Sequence, residues 1–381
     1  MKKILIFLFI LLILLGGFMI YNATQLSSRQ KLVELGVASP PINVESASRR
    51  LAKAVQQYTT SVPGKIDTAA MRGLHRVMKE SFPGIDSVLK KDTVNQFSLL
   101  YTWPGSDADL KPIVLMSHMD VVPVPEEDLE KWTYPPMSGR IQDDYIWGRG
   151  TLDDKVGVMG IMEAVEQLIE EGFVPKRTTY LAFGHDEEIG GRRGAKAIAE
   201  LLSTRGVKAK FVLDEGMVVT EGVVPGIEVP APLIGISEKG FATLELTVKG
   251  EGGHSSMPPP QTSIGILSKA ISEIEANPMP VDLDGPFGTF LTYTAPEMSF
   301  GYKMIFGNMW LLKPVIISQL SKSPTTNAAI RTTAATTMIQ GGVKDNILPT
   351  VATAKVNFRI LPGQTIEEVV AHATEVIDDE R

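Results

Sequence analysis

Ile113-Val114-Leu115-Met116-Ser117-His118-Met119-Asp120 is an apolar run of strand length that ends in a histidine, with a carboxylate two residues further on. Side chains of a strand repeat with period two, so His118 and Asp120 leave the same face if the strand continues through them. That pattern suits a metal-bound imidazole whose second ring nitrogen is oriented by a carboxylate. A histidine closing a strand is also commonly a capped core residue, so the reading depends on what else the chain brings to it.

Downstream, Gly148-Arg149-Gly150-Thr151-Leu152-Asp153-Asp154-Lys155 precedes a helical pattern with Met162, Val165, Leu168 and Ile169 along one face. One aspartate serves as an N-cap; a single cap does not need two, which leaves the other for different work. Thr178 to Phe183 reads as a second apolar strand, ending in Gly184-His185-Asp186-Glu187-Glu188-Ile189-Gly190-Gly191. Adjacent Glu187 and Glu188 repel each other unless a cation or a shared proton relieves them. A helix over Gly194 to Leu202 follows, then a third strand, Phe211-Val212-Leu213, closing on Asp214-Glu215-Gly216. Strands alternating with helices predict an α/β fold with a largely parallel sheet and helices on both faces. Ligands of such sheets bind beyond the carboxyl ends of the strands. His118, Glu187, Glu188 and Asp214 fall at those ends, with Asp153 on an intervening loop.

Upstream, Glu45 to Tyr58 and Thr68 to Ser81 have helical spacing, and His75 in the second reads as an ordinary helix histidine. Gln96 to Tyr101 reads as a strand, separated from Ile113 by the turn Pro104-Gly105-Ser106-Asp107. At the N-terminus, Lys2 and Lys3 precede an uncharged run from Ile4 to Tyr21. Its length, about 18 residues or roughly 27 Å of helix, just crosses a bilayer core. Tyr21-Asn22-Ala23 is a poor cleavage site, so residues 1–22 read as an uncleaved signal anchor and 23–43 as a polar stalk closed by Pro40-Pro41. Arg29 and Lys31 balance Lys2 and Lys3, so charge barely sets the orientation. The resemblance of the segment to an export signal places the folded part outside the cytoplasm.

From about Ile236 the pattern changes. Leu244, Leu246 and Val248 alternate with polar residues, as do Ala352, Ala354, Val356 and Phe358, predicting half-exposed antiparallel strands. Gly252-Gly253-His254-Ser255-Ser256 is a turn; Ser263 to Ala276 and Thr365 to Ile377 are helices. Residues 44–235 thus form a catalytic α/β domain, and 236–381 a smaller α+β insertion. An apolar, aromatic-rich stretch at about 286–320 interrupts the latter. It reads either as a small core of its own or as an apolar substrate wall or membrane-facing lip.

The 381 residues are 44% hydrophobic and 21% charged, with a net charge of −7 and no cysteine. The charge argues against a nucleic-acid partner. Without cysteine, a metal must be held by His, Asp and Glu. No P-loop and no Gly-x-Ser-x-Gly elbow is present. Carboxylates and histidines at one sheet edge can hold two divalent ions roughly 3.5–4 Å apart that activate a water. Asp153 is the candidate bridging ligand; one of the paired glutamates binds metal while the other acts as general base. His254 could face a developing oxyanion, and Arg359 could fork onto a substrate carboxylate.

Ser-His-Met-Asp-Val-Val-Pro, Gly-Arg-Gly-Thr-Leu-Asp-Asp-Lys, His-Asp-Glu-Glu-Ile-Gly-Gly, Leu-Asp-Glu-Gly and Gly-Gly-His-Ser-Ser occur in the order found in the di-zinc aminoacylase/carboxypeptidase family. The chain resembles that family from about Val44 onward. It looks closest to the branch of Gly-Xaa carboxypeptidase and the N-fatty-acyl-amino acid hydrolases. The resemblance implies a zinc-dependent exopeptidase-like fold with an inserted lid that dimerises. It implies two Zn2+ per subunit, with Co2+ or Mn2+ as substitutes, one held by His118, Asp153 and Asp214 and the other by Asp153 and Glu188. It makes Glu187 the general base and Asp120 the residue orienting His118, and suggests a cis peptide between Asp153 and Asp154. His254, Asn346 and Arg359 match lid positions that contact substrate, His254 reaching the site of a partner subunit.

The implied reaction is hydrolysis of a dipeptide or N-acyl amino acid. The rivals are a di-zinc aminopeptidase and a catalytically silent binding remnant. The family completes the second zinc site with a histidine near its C-terminus, whereas this sequence ends at Arg381 and His372 lies mid-helix. The expectation is therefore a truncated chain that binds one zinc well and the second poorly.

Overall fold

In the computed structural model, residues 1–31 and 42–381 are described, so the expected stalk over 23–43 lies in part outside the described residues. Helix α1 spans Lys2–Thr24 and is, among those residues, the one helix long and apolar enough to cross a bilayer. The chain divides into two compact units, Leu35–Gly216, and Met1–Glu34 together with Met217–Arg381.

The first unit begins with α2, Val44–Val55, and α3, Thr68–Ser81, started by the side-chain caps Asn43 and Asp67. Its five-stranded sheet comprises β1 (Lys90–Val94), β2 (Ser98–Trp103), β3 (Ile113–His118), β4 (Thr179–Gly184) and β5 (Phe211–Leu213), in the order β1-β2-β4-β3-β5. Helix α4, Lys155–Glu170, carries the chain from β3 to β4, and α5, Ala195–Thr204, from β4 to β5. These crossovers make β4, β3 and β5 parallel. β1 and β2 depart from the expected parallel arrangement: they pair antiparallel with each other, and β2 pairs antiparallel with β4. The turn Asn95-Gln96-Phe97, with φ of 47° at Asn95 and 75° at Gln96, is too short for any crossover and allows only a hairpin.

Strand alternation divides the core between two faces. Leu99, Tyr101, Trp103, Leu181 and Phe183 meet α2, α3 and α4 on one face. Leu100, Val114 and Ala182 meet Ile198 and Leu202 of α5 on the other. β5 forms the sheet edge, and all three of its apolar side chains are exposed.

The second unit has a three-stranded antiparallel sheet of β6 (Gly240–Lys249), β7 (Thr333–Gly341) and β8 (Val351–Ile360), with β8 central. β8 alternates buried and exposed residues along its whole length, as its sequence period demands. α6, Ser263–Ala276, packs on this sheet, as does the last helix, Ile366–Ile377, which starts with a Thr365/Glu368 capping box. The aromatic-rich stretch forms α7 (Pro286–Thr294), α8 (Phe300–Phe306) and α9 (Met309–Leu320); the last helix is therefore α10.

Phe183 is fully buried and its ring meets Tyr101 edge-on at 6.1 Å. Phe183→Ala is expected to cost about 3–5 kcal/mol through lost burial and a residual cavity. Urea unfolding followed by the emission of Trp103, in the same cluster, checks this.

Candidate metal centre

β3 delivers His118 to its carboxyl end, where the ring is almost entirely buried. Its Nδ1–H donates to the backbone carbonyl of Asp120 at 3.0 Å, with the Asp120 carboxylate 3.4 Å away. Nε2 therefore points outward, toward Asp153 Oδ1 at 2.9 Å, Glu215 Oε1 at 3.3 Å and Glu187 Oε2 at 3.8 Å. The buried Asp120 carboxylate accepts from the backbone N–H of Glu187 (3.1 Å) and Glu188 (3.2 Å), which ties the turn after β4 to the end of β3. Glu188 in turn accepts from the Val122 N–H at 3.2 Å.

The paired aspartates divide their labour. Asp154 caps α4, accepting from Gly157 N–H at 3.2 Å and from the Ser117 hydroxyl, and is buried. Asp153 projects to His118, and the peptide between Asp153 and Asp154 is cis. Beside them the buried Lys155 ammonium donates to the carbonyls of Ala54 (3.0 Å) and Gln57 (2.5 Å), anchoring α4 to the end of α2. Burial pushes that amine down to about 7, despite the nearby Asp120 charge.

Two donor groups have ligand atoms within 4.8 Å of one another: His118 with Asp153 and Glu188, and His118 with Glu187 and Glu215. Asp214, expected as a ligand, belongs to neither; it is exposed and its Oδ1 accepts from the Glu215 N–H at 2.9 Å. At a strand end, successive side chains point to opposite faces, so a shift of one position exchanges which carboxylate faces His118. Glu215, Ser117 and Lys155 are thus parts of the centre to which sequence reading assigned no role, although all three lie inside or beside the quoted motifs.

Like charges dominate the electrostatics. Burial and the neighbouring carboxylates raise Glu187 and Glu188 above the usual range and push Glu215 up to about 7, with His118 opposing. Burial of His118 disfavours its charge, but Asp120, Glu215 and Glu187 outweigh it and raise the imidazole to about 10. Asp120 itself is lowered: its burial opposes ionisation, but hydrogen bonds from His118 and Ser61 prevail.

In the second unit, His254 is exposed on a two-residue strand paired with Ile347-Leu348, its Nδ1 2.8 Å from the Ser256 hydroxyl. Asn346 Oδ1 is buried with no hydrogen-bond partner among the described residues. Arg359 lies on the exposed face of β8, its guanidinium 5.8 Å from the centre of the Phe241 ring.

Residues 114–346 match the sequence profile of peptidase family M20/M25/M40, and the chain belongs to that family. It is 44% identical over 318 residues to the N-fatty-acyl-amino acid synthase/hydrolase PM20D1 of Xenopus tropicalis, covering 83% of this chain and 62% of that protein. It is 40% identical over 378 residues to a probable carboxypeptidase S-like 2 of Dictyostelium discoideum, covering 95% of this chain and 72% of the relative. In fold it resembles the M20 family metallo-carboxypeptidase Sso-CP2 of Sulfolobus solfataricus, with a TM-score of 0.54 at 20% identity over 87% of this chain and 75% of that one.

In the metal-free protein, folding raises Glu215 from 4.5 to about 7 and His118 from 6.5 to about 10. The folded state then binds more protons than the unfolded one, so both contributions weaken as pH rises. The Glu215 part is lost between about 4.5 and 7 and the His118 part between about 6.5 and 10. Thermal unfolding across that range, with and without added zinc, should show Tm falling with pH without metal and a zinc-induced gain that grows with pH. A second measurement separates the two neighbouring acids. Zinc titration should show a 10–100-fold or larger loss of affinity for Glu215→Gln and little change for Asp214→Asn if the observed facing persists in solution, and the reverse if Asp214 is the ligand.

Proposed function

We propose that this chain carries the centre of a zinc-dependent amidohydrolase that cleaves a dipeptide or N-acyl amino acid and releases a free amino acid. The observation that most supports this is the convergence of carboxylates from Asp153, Glu187, Glu188 and Glu215 around the buried imidazole of His118. The donor set fits a pair of divalent ions. It is all nitrogen and oxygen, and its carboxylates crowd closely enough that they resist ionising together.

His118, Asp153 and Glu188 would hold the metal together with a carboxylate from the Asp214–Glu215 pair, Asp153 being shared between two Zn2+. Co2+ and Mn2+ are chemically reasonable substitutes. When bound, such ions polarise the scissile carbonyl and acidify a water. Asp120 keeps Nδ1–H of His118 engaged, so that Nε2 presents its lone pair. Glu187, made a stronger base by burial and by its acidic neighbours, accepts as a carboxylate the proton of the attacking water. It then delivers that proton to the leaving nitrogen as the C–N bond breaks.

Residues 236–381 are read as a lid and homodimerisation domain, in which His254 donates to the oxyanion, Asn346 to a substrate carbonyl and Arg359 to the free carboxylate. The names of the relatives, an N-fatty-acyl-amino acid hydrolase and a carboxypeptidase, support an acylated or peptidyl amino acid as substrate. The aromatic-rich stretch favours an apolar acyl group. α1 is read as a retained membrane anchor with the folded part outside the cytoplasm.

The test offers zinc-loaded full chain an N-acyl amino acid, the same compound with its carboxylate amidated, and a dipeptide with a free amine. Free amino acid should appear from the first and be lost on amidation. Glu187→Gln should lower kcat by about 10²–10⁴-fold while zinc stoichiometry is kept. A requirement for the free amine would instead identify an aminopeptidase, and ligand binding without turnover a binding protein.

A further inference from the structure

The last turn of α1 is built into the second unit. Ala23 is 1% exposed, in a helix whose earlier residues are largely bare. Asn308, wholly buried between α8 and α9, has every hydrogen-bonding position filled. Its Nδ2 donates to the Met19 carbonyl (3.0 Å) and the Met304 carbonyl (2.8 Å). Its Oδ1 accepts from Asn22 Nδ2 (3.0 Å) and Trp310 Nε1 (3.3 Å). The Phe18 ring meets the Trp310 ring edge-on at 5.9 Å. Beyond the helix, Gln30 Nε2 donates to the Tyr293 carbonyl of α7 at 3.2 Å. A satisfied amide network among apolar side chains fixes one register. Cleavage after Ala23 would remove the partners at Met19 and Asn22 and leave a buried amide unpaired.

The helices clamped to α1 are themselves poorly covered. α9 carries a single charge, Lys313, and its apolar residues run round the whole helix, yet only Ile316 is buried. A helix apolar on all sides belongs in a core or in lipid, and its 12 residues are too few to span. Phe300 (53%), Trp310 (59%), Leu311 (40%) and Val315 (57%) are left exposed. Through the contact of the exposed Trp310 with the exposed Phe18, these side chains adjoin α1, the one described helix able to cross a bilayer. A tryptophan with its N–H satisfied and its ring bare suits the headgroup–acyl boundary.

We propose that α8 and α9 are an interfacial element, clamped by Asn308 to a retained α1 and immersed in the bilayer leaflet that α1 leaves. The second unit is then seated on the membrane surface instead of being tethered at a distance. The proposal rests on the reading of α1 as an anchor.

The experiment uses the full chain in phosphatidylcholine vesicles whose acyl chains are brominated near the headgroup. The emission of Trp310 is taken as the difference between wild type and Trp310→Phe. A fluorophore on Val315→Cys, unique because the chain has no cysteine, reports independently. Flotation with the vesicles, loss of most Trp310 emission to the brominated lipid, and a blue-shifted label at position 315 are expected. Flotation with Trp310 unquenched and the label in water overturns the seating alone. A protein that does not float overturns the anchor reading and this proposal with it. Disulfide-linked pairs of Val315→Cys, formed with Trp310 shielded from lipid, assign the patch to a second copy and also overturn it.

Discussion

Carboxylates that repel one another, held around one buried imidazole, are the constraint on which the first unit depends. Asp120, Asp153, Glu187, Glu188 and Glu215 arrive from the ends of three strands and one loop, with the His118 imidazole at their centre. Repulsion among the carboxylates opposes compactness, and the imidazole offsets it only in part. The cluster persists because the backbone beneath it is stiff: β3 and β4 are adjacent parallel strands, and Asp120 binds two successive amides of the turn after β4. Asp154 and Lys155 fix the start of α4 by hydrogen bonds that do not involve the cluster. The weakened acidities of Glu188 and Glu215 express the same cost in protonation, and a divalent cation would relieve it.

This explains which parts of the centre were legible in the sequence. A histidine at a strand end, two adjacent aspartates before a helix and two adjacent glutamates after a strand each waste a residue under a purely structural reading. The structure gives each surplus residue a place: Asp154 caps, Asp153 reaches His118, and Asp120 joins the two strand ends. Asp214 and Glu215 offered no such asymmetry. Both are acidic and adjacent at the end of a three-residue edge strand, so periodicity cannot say which faces inward.

The sheet was legible where connections are long and went unread where one is short. β3, β4 and β5 are joined through helices and are parallel, as alternation of elements requires. β1 and β2 are joined by three residues, two of them left-handed, and Asn95-Gln96 is a weaker turn signal than Asn-Gly. In the second unit β8 was clear because its period of two is unbroken. β7, Thr333–Gly341, has no such period: a register shift between Thr336 and Met338 breaks its alternation, and most of its residues are exposed.

The aromatic-rich stretch marks a different limit. Its helices combine a small core with an exposed apolar face. Leu283, Ile316 and Ile330 close a core with Phe287 and Met309 packed against it, while Trp310, Leu311 and Val315 face outward one or two positions away. Hydrophobicity records that a side chain avoids water, and lipid and protein interior satisfy that equally. What separates them is the polar group that must be paired wherever the two environments meet. In this chain a buried polar group of that kind is Asn308, whose amide ties the end of α1 to the start of α9. Its role depends on residues nearly three hundred positions away, a separation that no local pattern reaches.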